Sequence, residues 1–240
     1  MKKISLYVTF FLVLVNAWTI HAGVQGALPG AFSVSATKKV YFSQGNLQYR
    51  KSTKVWRFGE YQYSFVGNDR DANGSGHGNV YQDGVRSNNS TSTSYTGWMD
   101  LFGWGTGSAP TKISTANYEY STFTDWGVNK ISNGGNQANL WRTLSKAEFE
   151  YIYSGRANAA NKRSKAKVNG VRGYIFLPDS WTLPSGLSFV ANASTVSEVA
   201  KNTYTIEQWQ KMEQNGAVFL PVTGIRTDQG PKWAGYDSGG

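Results

Sequence analysis

The chain contains no cysteine, so its fold must be held by packing and hydrogen bonds alone. Small exported domains often need disulfide staples, but 240 residues suffice to bury a core without them. The packing units on offer are aromatic: nine Trp, fourteen Tyr and twelve Phe. That much apolar surface argues against a disordered chain. Charged residues are sparse, while Gly, Ser, Asn and Thr are abundant. The balance predicts a loop-rich domain of short strands whose aromatics fill the space between them.

The N-terminus reads as an export signal. Met1-Lys2-Lys3 is a positive start, Ile4 to Val15 is almost wholly apolar, and Ile20-His21-Ala22 ends in a small residue before a cut. Residues 1–22 are therefore expected to be a signal peptide and 23–240 a single mature domain. The apolar run is shorter than the roughly 20 residues needed to span a bilayer and breaks at Asn16, so no transmembrane helix is expected in the mature chain. Lipid attachment at a cysteine is ruled out, and the product is expected to be periplasmic, held at the cell surface or secreted.

The formal charge is +9, and much of the excess is local. Asn161 to Arg172 holds Lys162, Arg163, Lys165, Lys167 and Arg172 with no acid among them. This could be a patch for an anionic partner, or a solvated loop leading into the next strand. Single-stranded nucleic-acid sites interleave stacking aromatics with cations, and none occurs here before Tyr174. The loop reading is preferred, and no nucleic-acid partner is expected.

Period-two alternation predicts short strands at Phe32–Ser35, Lys38–Phe42, Leu47–Tyr49, Trp56–Phe58 and Tyr63–Phe65. Gly67 to Thr96 has almost no aliphatic residues and reads as a long loop. Gly97 to Gly105 then packs three large aromatics among glycines. Ser145-Lys146-Ala147-Glu148 is a capping box that opens a helix over Phe149, Ile152 and Tyr153, stopped by Ser154-Gly155. A second helix opens at Thr205 with Gln208 at the matching position, sets Ile206, Trp209 and Met212 on one side, and ends at Asn215-Gly216. Gly173–Pro178 and Ala217–Pro221 read as buried strands. The sum is an α+β domain of two main helices, short antiparallel strands and long loops.

Trp141-Arg142-Thr143-Leu144-Ser145-Lys146-Ala147-Glu148-Phe149-Glu150-Tyr151 resembles a segment of formylglycine-generating-enzyme-like domains, and Phe219 to Arg226 resembles their later apolar strand and turn. The match is closer to exported bacterial surface proteins built on the same variant of the C-type lectin-like fold. Their hallmarks stand here as Phe42–Tyr49, Gly97–Gly105, Asp125-Trp126-Gly127, Ile131–Asn136, Trp141–Leu144, Leu177–Pro184 and Asn215–Pro221. The resemblance runs from about Gly30 onward and implies fold more than function. It also implies closing strands beyond the glycine-rich Gly235–Gly240, so the domain is expected to lack its last strands, by truncation or because a partner completes it.

Formylglycine-generating activity needs thiol ligands, which are absent. His77, the one histidine of the mature chain, reads as a solvated loop residue between Gly76 and Gly78. Paired carboxylates could still support a glycan-acting enzyme, with Asp69, Asp71, Asp83, Asp100, Asp125, Glu148 and Asp179 available. Asp69-Arg70-Asp71-Ala72-Asn73-Gly74 copies the first half of a calcium loop, so Asp69, Asp71 and Asn73 are the candidate metal ligands. Val80 stands where a bidentate glutamate is needed, and no cofactor is the preferred reading. The leading expectation is a noncatalytic surface or adhesion-type binder of a glycan or protein, with Tyr81, Tyr95, Tyr118, Tyr120 and Trp126 as ring contacts on the two long loops. A diversified receptor is an alternative of the same class. Composition leaves oligomeric state open.

Overall fold

The computed structural model describes residues 23–64, 97–100, 107, 110 and 123–222, with the backbone of further short strands named below. Strands β1 (Ala27–Ser33) and β2 (Lys39–Ser43) form an antiparallel hairpin. β3 (Leu47–Arg50) pairs with β4 (Val55–Phe58). β5 (Asp69–Arg70) pairs with β6 (Gly76–His77), and β7 (Asn79–Gln82) with β8 (Val85–Asn88). β9 (Trp98–Met99) returns to the free side of β3.

Helix α1 (Lys146–Glu150) runs into a π-helical turn at Tyr151–Gly155. β10 (Arg163–Val168) and β11 (Val171–Phe176) then form a hairpin. Asn169 and Gly170, at φ of 48° and 81°, supply the two left-handed residues of a tight primed turn. Helix α2 (Val196–Ala200), β12 (Thr203–Tyr204), helix α3 (Ile206–Gln214) and β13 (Val218–Pro221) follow, and β14 (Ile225–Thr227) pairs with β15 (Gly230–Lys232).

The central sheet runs β12-β10-β11-β13. Period-two alternation divides its side chains between two clusters. One face carries Ala166, Val168, Ile175 and Phe219 against Trp209 and Met212 of α3 and against Tyr63, Leu177 and Tyr204. The other carries Phe176, Val218, Tyr174 and Leu220 against Leu28, Phe32, Val34 and Ile152. A third cluster gathers Tyr49, Trp56, Phe58, Met99 and Ile131 around β3 and β4.

Buried polar side chains stitch these layers. Gln62 accepts from the Phe219 amide at 2.6 Å and donates to the Ala217 carbonyl at 3.1 Å, so its amide serves as a strand partner for β13. Fully buried Asn202 accepts from the Val190 amide and donates to Ser164 Oγ and the Val190 carbonyl, each at 2.8 Å. Asp179 takes the Ser33 hydroxyl at 2.6 Å and amide at 3.1 Å, and pairs with Lys39 and with buried Arg156. Burial alone would raise its pKa, but these donors hold the carboxylate below its ordinary value.

The architecture is a mixed α and β fold with a few short helices. Several sequence expectations need correction. The basic segment after Asn161 is a strand, because Ser164, Ala166 and Val168 alternate inward between its cations. β12 joins β10 in parallel, so the strands are not all antiparallel. The stretch read as one long loop from Gly67 contains two small hairpins. Tyr63 and Ser64 lie in a turn, and Phe65 lies outside the described residues. The first helix is shorter than expected: Ile152 is buried, but on the π turn, and Phe149 and Tyr153 remain 39% exposed. A third helix, α2, has its own capping box from Thr195 and Glu198. Residues 1–22 lie outside the described residues. Among those described, no helix is long and apolar enough to cross a membrane.

Candidate functional site

The site is a groove of about 900 Å³ between β2 and the segment from Trp126 to Phe149. Its walls are Tyr41 and Phe42 on one side and Trp126, Trp141 and Phe149 on the other, with Phe58 and Ile131 at its base. Polar groups at its edge include Lys39, Asn46, Asn139, Arg142 and Ser145.

Local chemistry fixes each wall. Ile131-Ser132-Asn133-Gly134 docks on β4 as a surrogate strand. The Ser132 amide donates to the Trp56 carbonyl at 2.9 Å, and Asn133 both accepts from the Phe58 amide at 2.7 Å and donates to its carbonyl at 2.9 Å. Asp125 caps the single 3-10 turn at Trp126–Val128, accepting from the Gly127 amide at 2.7 Å, and accepts from the Thr143 amide at 3.0 Å. One carboxylate thus ties the Trp126 wall to the Trp141–Thr143 wall. A Cβ on Gly127 would collide with the Trp141 carbonyl, so only glycine lets the two segments meet. Trp141 donates its indole N–H to the Gly134 carbonyl at 2.8 Å and sets its ring edge-on to Phe58, with centroids 4.8 Å apart.

Arg142 is held at the rim by Glu148, which also closes the Ser145 capping box. The Arg142 hydrogen bond, with help from the Ser145 amide, overrides burial and lowers the Glu148 pKa to about 2. A permanently ionised pair results, suited to positioning and unsuited to proton transfer. Among the described residues, no Asp, Glu or His lines the groove.

Of the sequence-predicted ring contacts, Trp126 is placed here. It is partly buried, its ring 5.8 Å from that of Trp56, and it lines the groove. Tyr81 lies on β7 opposite Arg86, with only its backbone described. Tyr95, Tyr118 and Tyr120 lie outside the described residues. Asp69 sits on β5 opposite His77, while Asp71 and Asn73 lie outside the described residues. Among the described residues no group of three or more His, Asp or Glu is placed to hold a metal ion. Sequence reasoning missed Tyr41, Trp141 and Phe149 as groove residues. The alternation of Lys38–Phe42 placed Tyr41 on a strand face, but not against which neighbour.

Comparison with known proteins adds no assignment: no family model, curated protein or solved structure matches the chain.

Proposed function

We propose that the chain is a noncatalytic exported or cell-surface binding protein with a C-type-lectin-like, formylglycine-generating-enzyme-like domain, and that the groove beside β2 takes its glycan or protein ligand. One observation carries this reading. The segments that resemble the family supply the groove together: Phe42, Ser43, Gly45, Asn46 and Leu47, then Trp126-Gly127, Ile131, Trp141 to Leu144 and Leu220 all line it. Residues distant in sequence thus converge on one concave surface, where a fold of this kind would place a ligand.

The lining supports binding over catalysis. Flat aromatic faces and fixed amide, hydroxyl and guanidinium groups suit a sugar ring or an extended peptide. General acid–base hydrolysis of a glycan calls for two carboxylates across the substrate, and the described residues of the groove wall offer none. A glycan array and a surface-protein pull-down with the full chain, run beside a reducing-end release assay on the same glycans, test the proposal. Retention of a glycan or protein without turnover is expected. Release of reducing ends, abolished by an Asp or Glu substitution, would overturn it in favour of the enzyme.

A further inference from the structure

The polar side chains of the groove wall divide into those the fold already uses and those it does not. Asn46 donates to the Ser64 carbonyl at 2.9 Å, Ser43 to the Gly45 carbonyl at 2.9 Å, and Ser145 caps α1. The lining cations are each matched by a carboxylate: Lys39 by Asp179, Arg142 by Glu148 and Lys146 by Glu150. Among the described residues, nothing in these pairs selects for an ionic ligand. Two neutral side chains of the described lining make no hydrogen bond, the Asn139 carboxamide and the Thr143 hydroxyl.

The Asn139 backbone, by contrast, is fixed. It adopts a left-handed φ of 61°, and its amide donates to the Gly127 carbonyl at 2.6 Å. Gly127 is held in turn by Asp125, and Trp141 follows with its indole bonded to Gly134. An exposed carboxamide is thus carried on a rigid anchor that joins the two indole-bearing segments. A carboxamide sets an acceptor oxygen beside an N–H donor, and each sugar hydroxyl both donates and accepts, so two adjacent hydroxyls match it. With the anchor already ordered, less freedom is lost when such a ligand binds.

We propose that Asn139, assisted by Thr143, is the specificity-determining residue of the groove and reads adjacent hydroxyls of a neutral glycan; this rests on the groove reading above. An extended peptide is the poorer match. It presents donors and acceptors in a repeating ladder, whereas the unengaged groups here are Asn139 and Thr143, close together in the chain. Asparagine also occurs at positive φ for conformational reasons alone. Glycine meets that need equally well, which makes Asn139→Gly the discriminating substitution.

The test is an array of immobilised neutral hexopyranosides (glucosides, galactosides and mannosides) and their monodeoxy counterparts, probed with the full chain. Binding of the preferred sugar should fall about tenfold when one of the hydroxyls read by Asn139 is removed, since the carboxamide is then left without its partner. Asn139→Gly keeps the left-handed turn and should weaken binding of the unmodified sugar by a similar factor. The variant should also become indifferent to the same deoxygenation, a coupling that a purely conformational role would not produce. Thr143→Val should weaken binding more modestly, and both variants should melt with the unsubstituted protein. Equal binding by Asn139→Gly and the unsubstituted protein would overturn the proposal; if Trp126→Ala still weakened binding, the groove reading would stand. Retention of peptides in place of any neutral glycan would overturn it in the same way. Glycan binding untouched by Trp126→Ala would overturn both.

Discussion

Arg142 and Glu148 meet as a two-pronged pair: Nη1 to Oε2 and Nη2 to Oε1, both at 2.7 Å. The pair joins the rim of the groove to the first turn of α1. It makes the Trp141–Glu148 segment a single rigid bracket, with the indole anchored at one end and the capping box at the other.

The pair has a pH signature. Glu148 titrates at about 2 in the folded protein against an ordinary 4.5, so its contribution is complete above the ordinary value and lost as pH falls toward 2. Glu148→Gln keeps a capping side chain but removes the charge. Urea unfolding should find it less stable by about 1 kcal/mol at pH 7, in keeping with a partly exposed pair, and equal to the parent near pH 2.

Gly127→Ala should be among the most damaging small changes in the chain. Its Cβ would meet the Trp141 carbonyl and sit 3.0 Å from Asp125 Oδ1. The first contact is on the bracket and the second on the carboxylate that ties the two walls together, so relief requires the groove walls to separate. A loss of about 2–4 kcal/mol is expected in chemical denaturation.

Asn202 is the polar pin of the central sheet. Asn202→Ala takes away the side-chain partner of the Val190 amide and carbonyl and one of the two donors to the Ser164 hydroxyl, each at 2.8 Å. Unfolding free energy should fall by about 3 kcal/mol. Amide exchange should accelerate first at Val190 and Ala193, which depend on Asn202 and Ser164.

Glu213 shows the opposite pH sense. Burial raises its pKa, and the Gln62 amide at 2.7 Å only partly offsets this. The folded state then holds the proton more tightly than the unfolded chain, and stability falls as pH rises from the ordinary carboxylate value through the raised one. Glu213→Gln removes the titration. Thermal melts should show the variant and parent alike at acid pH, with the variant gaining as pH rises.

Local signals were legible in the sequence and long-range ones were not. Ser145–Glu148 and Thr205–Gln208 announced two helices, and both capping boxes form. The Thr195–Glu198 pattern is of the same kind, but the helix it opens, Val196–Ala200, is a five-residue element with Val196 largely exposed. β10 is hidden because its three cations, Arg163, Lys165 and Lys167, outnumber its two apolar residues, although Ala166 and Val168 carry the alternation. The groove was beyond reach for another reason. Trp126 could be named as a ring contact, but Tyr41, Trp141 and Leu220 join it only through contacts that span much of the chain.

The groove account is tested most directly by glycan-array binding of the full chain beside its Tyr41→Ala and Trp126→Ala variants, with α1 and sheet integrity checked by circular dichroism. The account predicts a restricted set of glycans bound by the parent and weakened about tenfold by either substitution, each removing one aromatic wall worth about 1–2 kcal/mol. Glycan binding that survives both substitutions unchanged would contradict it.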